Sequence, residues 1–143
     1  MGDRDAHLAY AVGRLSSILT QLRQSTWHDT EPVGVGEQPR FLNGAVVGQT
    51  SLTPRALLET LLTIERERGR ERPRAGAART LDLDLILYGS ECLAEPDIEV
   101  PHPRFRERLF VLEPLAELVP GWADPGSGLP ISDLLRRVRP RPS

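Results

Sequence analysis

The chain has 143 residues, a net charge of −2 and a single cysteine, Cys92, so it is sized for one real core and cannot form an internal disulfide. A 39% apolar share beside 27% charged residues fits a soluble globular domain, and the near-neutral balance gives no global pull toward nucleic acid or a membrane. No apolar run nears the ~20 residues of a membrane span, and "MGDRDAHLAYA" is no signal peptide, so the cytoplasm is the expected compartment. Every basic side chain except the histidines is arginine, which fits a GC-rich coding bias.

From Asp3 the pattern is helical. Leu8, Val12, Leu15, Leu19 and Leu22 recur at spacings of three and four, with Asp3 as the expected N-cap. Residues 25–31, "STWHDTE", read as a short strand, and the prolines and glycines of "PVGVGEQPR" as a loop. "FLNGAVVGQT" reads as another strand, with Phe41, Asn43, Ala45 and Val47 on one face.

"SLTPRALLETLLTIERERG" predicts the second helix. Thr53 is its N-cap, Pro54 suits the first helical position and Gly69 ends it; Leu58, Leu61, Leu62 and Glu65 fall on neighbouring turns. The arginine-rich loop "RERPRAGAAR" leads into an expected strand over 79–89, "RTLDLDLILYG". A turn, an extended piece ending "IEVPHP" and a helical stretch "RFRERLFVLEPLAEL" follow, and Pro114 is expected to kink or divide that helix. The tail predicts a short helix, then disorder over 139–143, leaving a single domain over 1–138.

Helix, strand, strand, helix, strand is a βαββαβ order lacking its first strand. It predicts an α+β, ferredoxin-like αβα sandwich with a largely antiparallel sheet. The missing strand predicts an exposed edge or an unfilled slot in that sheet.

Alternation along the aspartate strand puts Leu81, Leu83, Leu85 and Leu87 on one face and Asp82 and Asp84 on the other, with the two aspartates' Cα atoms roughly 6.5 Å apart. Two adjacent carboxylates repel unless a cation lies between them. They are hard oxygen ligands suited to Mg²⁺, and Arg70, Arg72, Arg74 and Arg79 upstream are natural forks for phosphate. Metal-holding carboxylates beside phosphate-holding arginines are what phosphoryl transfer needs. The spacing fits equally a solvated strand face whose aspartates pair with those arginines.

Phe41 and Asn43 would set an aromatic platform beside an amide edge, suited to a flat heterocycle; core packing and a strand end account for them as well. His102 sits in a stiff segment between Pro101 and Pro103, where it could meet a phosphate or be a plain loop histidine. Arg108 and Phe110, two apart, would share no face on a helix but could both reach a site from an irregular segment.

Together "GDR", "TEPVG", "EQPRFLN", "IERERGRER", "ARTLDLDLILYG" and "VPHPRFRERLFVLEPL" resemble, in order and spacing, the 6-hydroxymethyl-7,8-dihydropterin pyrophosphokinase family of the folate pathway. The resemblance implies an ATP-dependent diphosphotransferase, cytoplasmic and monomeric, binding neither nucleic acid nor membrane and neighbouring other folate enzymes. It implies that Asp82 and Asp84 bind two Mg²⁺ ions bridging the phosphates of ATP, with Arg70 and Arg79 completing the catalytic set. Phe41 and Phe110 would stack the pterin and Asn43 would read its polar edge, helped by Thr30, Pro32, Val33 and Gly34. Glu65, Arg70, Arg72, Arg79, Leu85, His102 and Arg108 would contact the nucleotide.

There are two departures. The family's tryptophan–glycine–proline stretch is replaced by Gly76, Ala77 and Ala78, which leaves Arg74 without a family position. The family also opens with a strand and a glycine–serine–asparagine turn, whereas Met1 falls inside the next motif, so the expected true start lies upstream. The competing expectations are a different Mg²⁺-dependent nucleotidyl or glycosyl transferase, and an inactive ferredoxin-like scaffold.

Overall fold

The computed structural model describes residues 3–30, 41–69 and 81–139. Helix α1 spans Asp3–Ser16, β1 Thr20–Gln24, β2 His28–Thr30, β3 Phe41–Asn43 and β4 Val46–Gln49. Helix α2 spans Pro54–Gly69, β5 Leu93–Glu95 and β6 Ile98–Val100; a 3₁₀ turn over Phe105–Glu107 precedes α3, Leu109–Leu118, and α4, Ile131–Val138. Helices and antiparallel strand pairs mix along the chain, the expected α+β class.

The two central strand pairs are one long hairpin with a break. β1 pairs with β4 and β2 with β3, all antiparallel, with Thr30 opposite Phe41. At the break the Ser25 amide donates to the Ala45 carbonyl at 2.9 Å, and the Ala45 amide donates to Ser25 Oγ at 2.9 Å. The single strand expected over 41–50 is therefore two, divided at Gly44. A Cβ on Gly44 would stand 2.3 Å from the Trp27 ring, so only glycine lets the indole lie across the backbone there.

β4 separates two apolar layers. Val46 packs with α1, α2 and Leu81, where Ala11, Leu15, Leu57, Leu61 and Ile64 are buried. Val47 packs on the other side with Phe105, Leu112, Leu115, Ile131 and Leu134. Between α1 and α2, Arg14 grips Glu67 with two bonds of 2.9 Å, and the Tyr10 hydroxyl donates to the same carboxylate.

Several expectations are met and others corrected. Thr53 caps α2, its Oγ1 accepting from the Ala56 amide at 3.1 Å. Helix α1 stops at Ser16, so Leu19 and Leu22 lie beyond it. Its buried side chains are His7, Ala11 and Leu15, while Leu8 and Val12 are only half-buried. Pro114 does not divide its helix: α3 runs through it, and the break falls at Arg108, between the 3₁₀ turn and α3. The segment 81–88 alternates as expected up to Leu85, with Leu81 buried and Asp82 and Asp84 exposed, yet it has no ladder partner among the described residues. The Asp3 side chain and residues 140–143 lie outside the described residues, so the expected cap and tail do too.

Asp124 is fully buried and closes the turn before α4. Its carboxylate accepts from Arg106 Nε at 2.5 Å and Nη2 at 2.8 Å, and from Ser127 Oγ at 2.6 Å. The Arg106 guanidinium first, and the Ser127 hydroxyl and Gly126 amide after it, hold this carboxyl far below the usual range. A depressed folded-state pKa stabilises the fold above the unfolded value of about 4 and is lost as the pH falls below it. Asp124→Asn should cost about 3 kcal/mol in urea unfolding at pH 7 and should flatten the fall in stability between pH 4 and pH 2. Gly44→Ala should cost about 1–3 kcal/mol by overpacking against Trp27, read as a lower urea midpoint at unchanged slope.

Candidate active site

The two aspartates stand on a segment pinned from behind. Glu65 on α2 accepts from the Leu83 amide, between the two carboxylates, at 2.5 Å. Further along, the His102 amide donates to the Ile86 carbonyl at 2.9 Å and the Tyr88 hydroxyl donates to the Leu52 carbonyl. With its leucines inward and its backbone tied to α2 and to the 101–103 segment, the segment has its acidic side chains exposed.

A cavity of about 760 Å³ borders this segment, and Asn43, Asp82, Asp84, Arg108 and Phe110 are among its lining residues. Asn43 ends β3 opposite His28. Arg108 has extended backbone angles (φ −111°, ψ 103°), and this leaves its guanidinium 5.7 Å from the Phe110 ring centroid, within cation–π range. The two residues therefore meet because the helix starts after Arg108. Phe110 is 42% exposed, an aromatic face presented to the cavity rather than to the core.

A second cleft of about 360 Å³ lies on the other side of the aspartate segment. Its walls are Leu58, Leu62 and Glu65 of α2, the β5–β6 hairpin, and His102. Leu83, Asp84 and Leu85 line both spaces, so Asp84 stands at their junction. Arg55 pairs with Glu95 and Asp97 and fixes the hairpin to the start of α2; this contact also holds the Asp97 carboxyl below its usual value. Sequence reasoning missed the hairpin and Leu62 as cleft walls. The available signal was Leu62, four residues after Leu58 and three before Glu65, hence on one face of the helix with both.

The structure thus brings together Asn43, Glu65, Asp82, Asp84, Leu85, His102, Arg108 and Phe110 around two adjoining spaces. Thr30 and Phe41 are placed by their backbones alone, as ladder partners. Pro32, Val33, Gly34, Arg70, Arg72, Arg74 and Arg79 lie outside the described residues. Among the described residues no group of three or more histidine, cysteine or acidic side chains is arranged as a metal cluster. The donor set of Asp82 and Asp84, two exposed carboxylates, fits Mg²⁺, which takes few protein ligands and completes its shell with water and phosphate oxygens. Nor is any described helix long and apolar enough to cross a membrane.

The structure is thus an α+β domain with a carboxylate pair beside an aromatic-and-amide cavity and a second cleft. Residues 1–120 match the family model for 7,8-dihydro-6-hydroxymethylpterin-pyrophosphokinase, and the chain belongs to that family. It is 46% identical over 116 residues to the 2-amino-4-hydroxy-6-hydroxymethyldihydropteridine pyrophosphokinase of Synechocystis, an alignment covering 81% of this chain and 59% of that protein. It is 45% identical over 120 residues to the Bacillus subtilis protein of the same name, covering 82% of this chain and 72% of the other. A mitochondrial folate synthesis bifunctional protein of Arabidopsis thaliana is 45% identical over 102 residues, covering 71% of this chain and 18% of its own length. The chain thus spans under two thirds of the Synechocystis relative.

Removing the Glu65 carboxylate leaves the Leu83 amide without that acceptor. Glu65→Ala should lower stability by about 1–3 kcal/mol and speed hydrogen exchange at Leu83 selectively.

Proposed function

We propose that this chain transfers diphosphate from ATP to the hydroxymethyl group of 6-hydroxymethyl-7,8-dihydropterin, releasing AMP. The observation that carries this reading is Asp84 at the junction of two spaces of different chemistry, with Asp82 beside it in the larger. The pterin occupies the Asn43–Phe110 end of the larger cavity. Its ring stacks on Phe110, joined by Phe41, while Asn43 offers a donor and an acceptor to its polar edge. The segment of Thr30, Pro32, Val33 and Gly34 supplies backbone groups. The nucleotide lies in the smaller cleft, its base on the apolar surface of Leu58, Leu62 and Leu85, with His102 and Glu65 at the rim.

Its phosphates then pass Asp84 toward the pterin. Two Mg²⁺ ions held by Asp82 and Asp84 would supply charge neutralisation at the phosphate oxygens. Arg108, lining the cavity over Phe110, adds a fixed cation, and Arg70, Arg72 and Arg79 are assigned to the same phosphates. The hydroxymethyl oxygen forms the new bond to the β-phosphorus, the bond from that phosphorus to the oxygen of AMP breaks, and the hydroxyl proton leaves to water. The protein's part is alignment and electrostatic stabilisation.

The test is AMP release from ATP in the presence of Mg²⁺ and 6-hydroxymethyl-7,8-dihydropterin. Asp82→Ala and Asp84→Ala should each lower turnover by roughly 10³-fold or more with an unchanged circular dichroism spectrum. Phe110→Ala should raise KM for the pterin by about tenfold and leave KM for ATP within a factor of two, from loss of ring stacking worth about 1.4 kcal/mol. Turnover within tenfold of the parent in both aspartate variants would overturn the assignment.

A further inference from the structure

Helix α3 carries Phe110 near its start and an acidic side chain, Glu117, near its end. The two are separated by two helical turns, so they project from the same side of the helix, about 10 Å apart along its axis. At one end that side presents the Phe110 ring to the cavity. At the other it meets the chain just before β2.

There the Glu117 carboxylate accepts from the Thr26 amide at 2.5 Å and from Thr26 Oγ1 at 2.9 Å, and His28 Nε2 lies 3.4 Å from it. The Thr26 amide first, then the Thr26 hydroxyl and the His28 ring, hold this carboxyl below its usual value, so the acceptor is charged and its bonds are of the stronger kind. Thr26, His28 and Glu117 line neither of the two spaces at the candidate site.

What Glu117 holds does reach the site. His28 is the ladder partner of Asn43, and Thr30 that of Phe41. This outer ribbon is only three residue pairs long and is separated from β1 and β4 by the break at Gly44. The inner half of the hairpin is fixed by Val46 and Val47 in the two apolar layers. A short two-stranded ribbon has little rigidity of its own, so its angle to α3 is set by what grips it beyond the break. Glu117 grips it there, beside the residue that pairs with Asn43.

We infer that Glu117 is a positioning residue for the pterin: through Thr26 and His28 it sets the separation between Asn43 on β3 and the Phe110 ring on α3. The inference rests on the assignment of the pterin to that end of the cavity. Asn43 and Phe110 come from separate elements, and a displacement of about 1 Å between them is enough to spoil simultaneous stacking and edge recognition. The nucleotide in the smaller cleft meets α2, the β5–β6 hairpin and His102, and none of these depends on Glu117.

Glu117 can be removed without unfolding the chain. It is exposed, Arg23 Nη1 still donates to the Leu118 carbonyl at 3.2 Å, and Val47 still packs on Leu112 and Leu115. In the AMP-release assay Glu117→Ala should raise KM for the pterin about tenfold, with kcat within about threefold and KM for ATP within about twofold of the parent. Glu117→Gln should restore most of the pterin KM, because its amide oxygen still accepts from the Thr26 amide. Glu113→Ala removes an equal charge one turn earlier, where it pairs with Arg139 at 3.7 Å, and should change neither KM. In the chain without substrates, Glu117→Ala should speed amide exchange at Thr26 and over 41–43 about tenfold, and leave 46–49 and 82–88 unchanged.

Equal rises in both KM values, a Gln variant as impaired as the Ala variant, or the same effect from Glu113→Ala would overturn the inference. Unchanged exchange over 41–43 would do so as well. A parent chain that neither releases AMP nor quenches the fluorescence of added 6-hydroxymethylpterin would instead overturn the proposed function. The exchange comparison needs no substrate and would still decide whether Glu117 holds the Asn43 wall.

Discussion

The bond from the Leu83 amide to Glu65 sits between the two aspartates, and most of the site's geometry depends on it. A strand with acidic side chains at alternate positions gains nothing from a ladder on its own account; like charges side by side on one face favour its leaving the sheet. Two forces oppose this. Leu81, Leu83 and Leu85 bury or half-bury against α1 and α2, and Glu65 takes the backbone amide from the same side. Inward pull on the leucines and outward exposure of the aspartates are one event, because a strand cannot turn one face without turning the other.

That constraint organises the neighbouring elements. The 101–103 segment is tied to the same strand by the His102 amide, and the β5–β6 hairpin is tied to α2 through Arg55. The second cleft is therefore bounded by elements that all refer back to α2, and it shares Leu83, Asp84 and Leu85 with the larger space, Asp84 being the charged one. On the far layer, Phe105 and Leu112 anchor the 3₁₀ turn and α3, with Arg106 held by buried Asp124. Between these fixed points the chain is extended at Arg108 alone, and this projects its guanidinium over Phe110.

What could be read in the sequence follows from how local each signal is. The start of α2 was legible because a cap, a proline at the first position and a leucine stripe agree within a few residues. The face of Asp82 and Asp84 was legible because side-chain direction alternates whether or not a ladder forms. The division of the 41–50 strand was not, since nothing near Gly44 in the sequence announces that Trp27 will cross it. The early end of α1 was hidden because Leu19 and Leu22 continue its spacing while belonging to the turn and to β1. Nor does spacing alone reveal that Arg108 and Phe110 meet: it places them on different faces of a helix, and the structure starts the helix between them.

Pro114 shows why such boundaries escape local rules. A proline at the sixth residue of α3 leaves the Phe110 carbonyl without its usual helical donor, a local reason to break the helix there. Yet Pro114 is fully buried among residues that pack α3 against α4, with Leu112 and Leu115 on either side. Burying those side chains together is worth several kcal/mol, more than the single bond forgone. The helix therefore continues through the proline, and its start is set instead at Arg108, where Phe105 has already been drawn into the core by the preceding turn. The carbonyl left without a helical donor belongs to Phe110, the residue whose ring faces the cavity. The packing that keeps α3 whole thus also fixes the backbone of the residue that faces the candidate site.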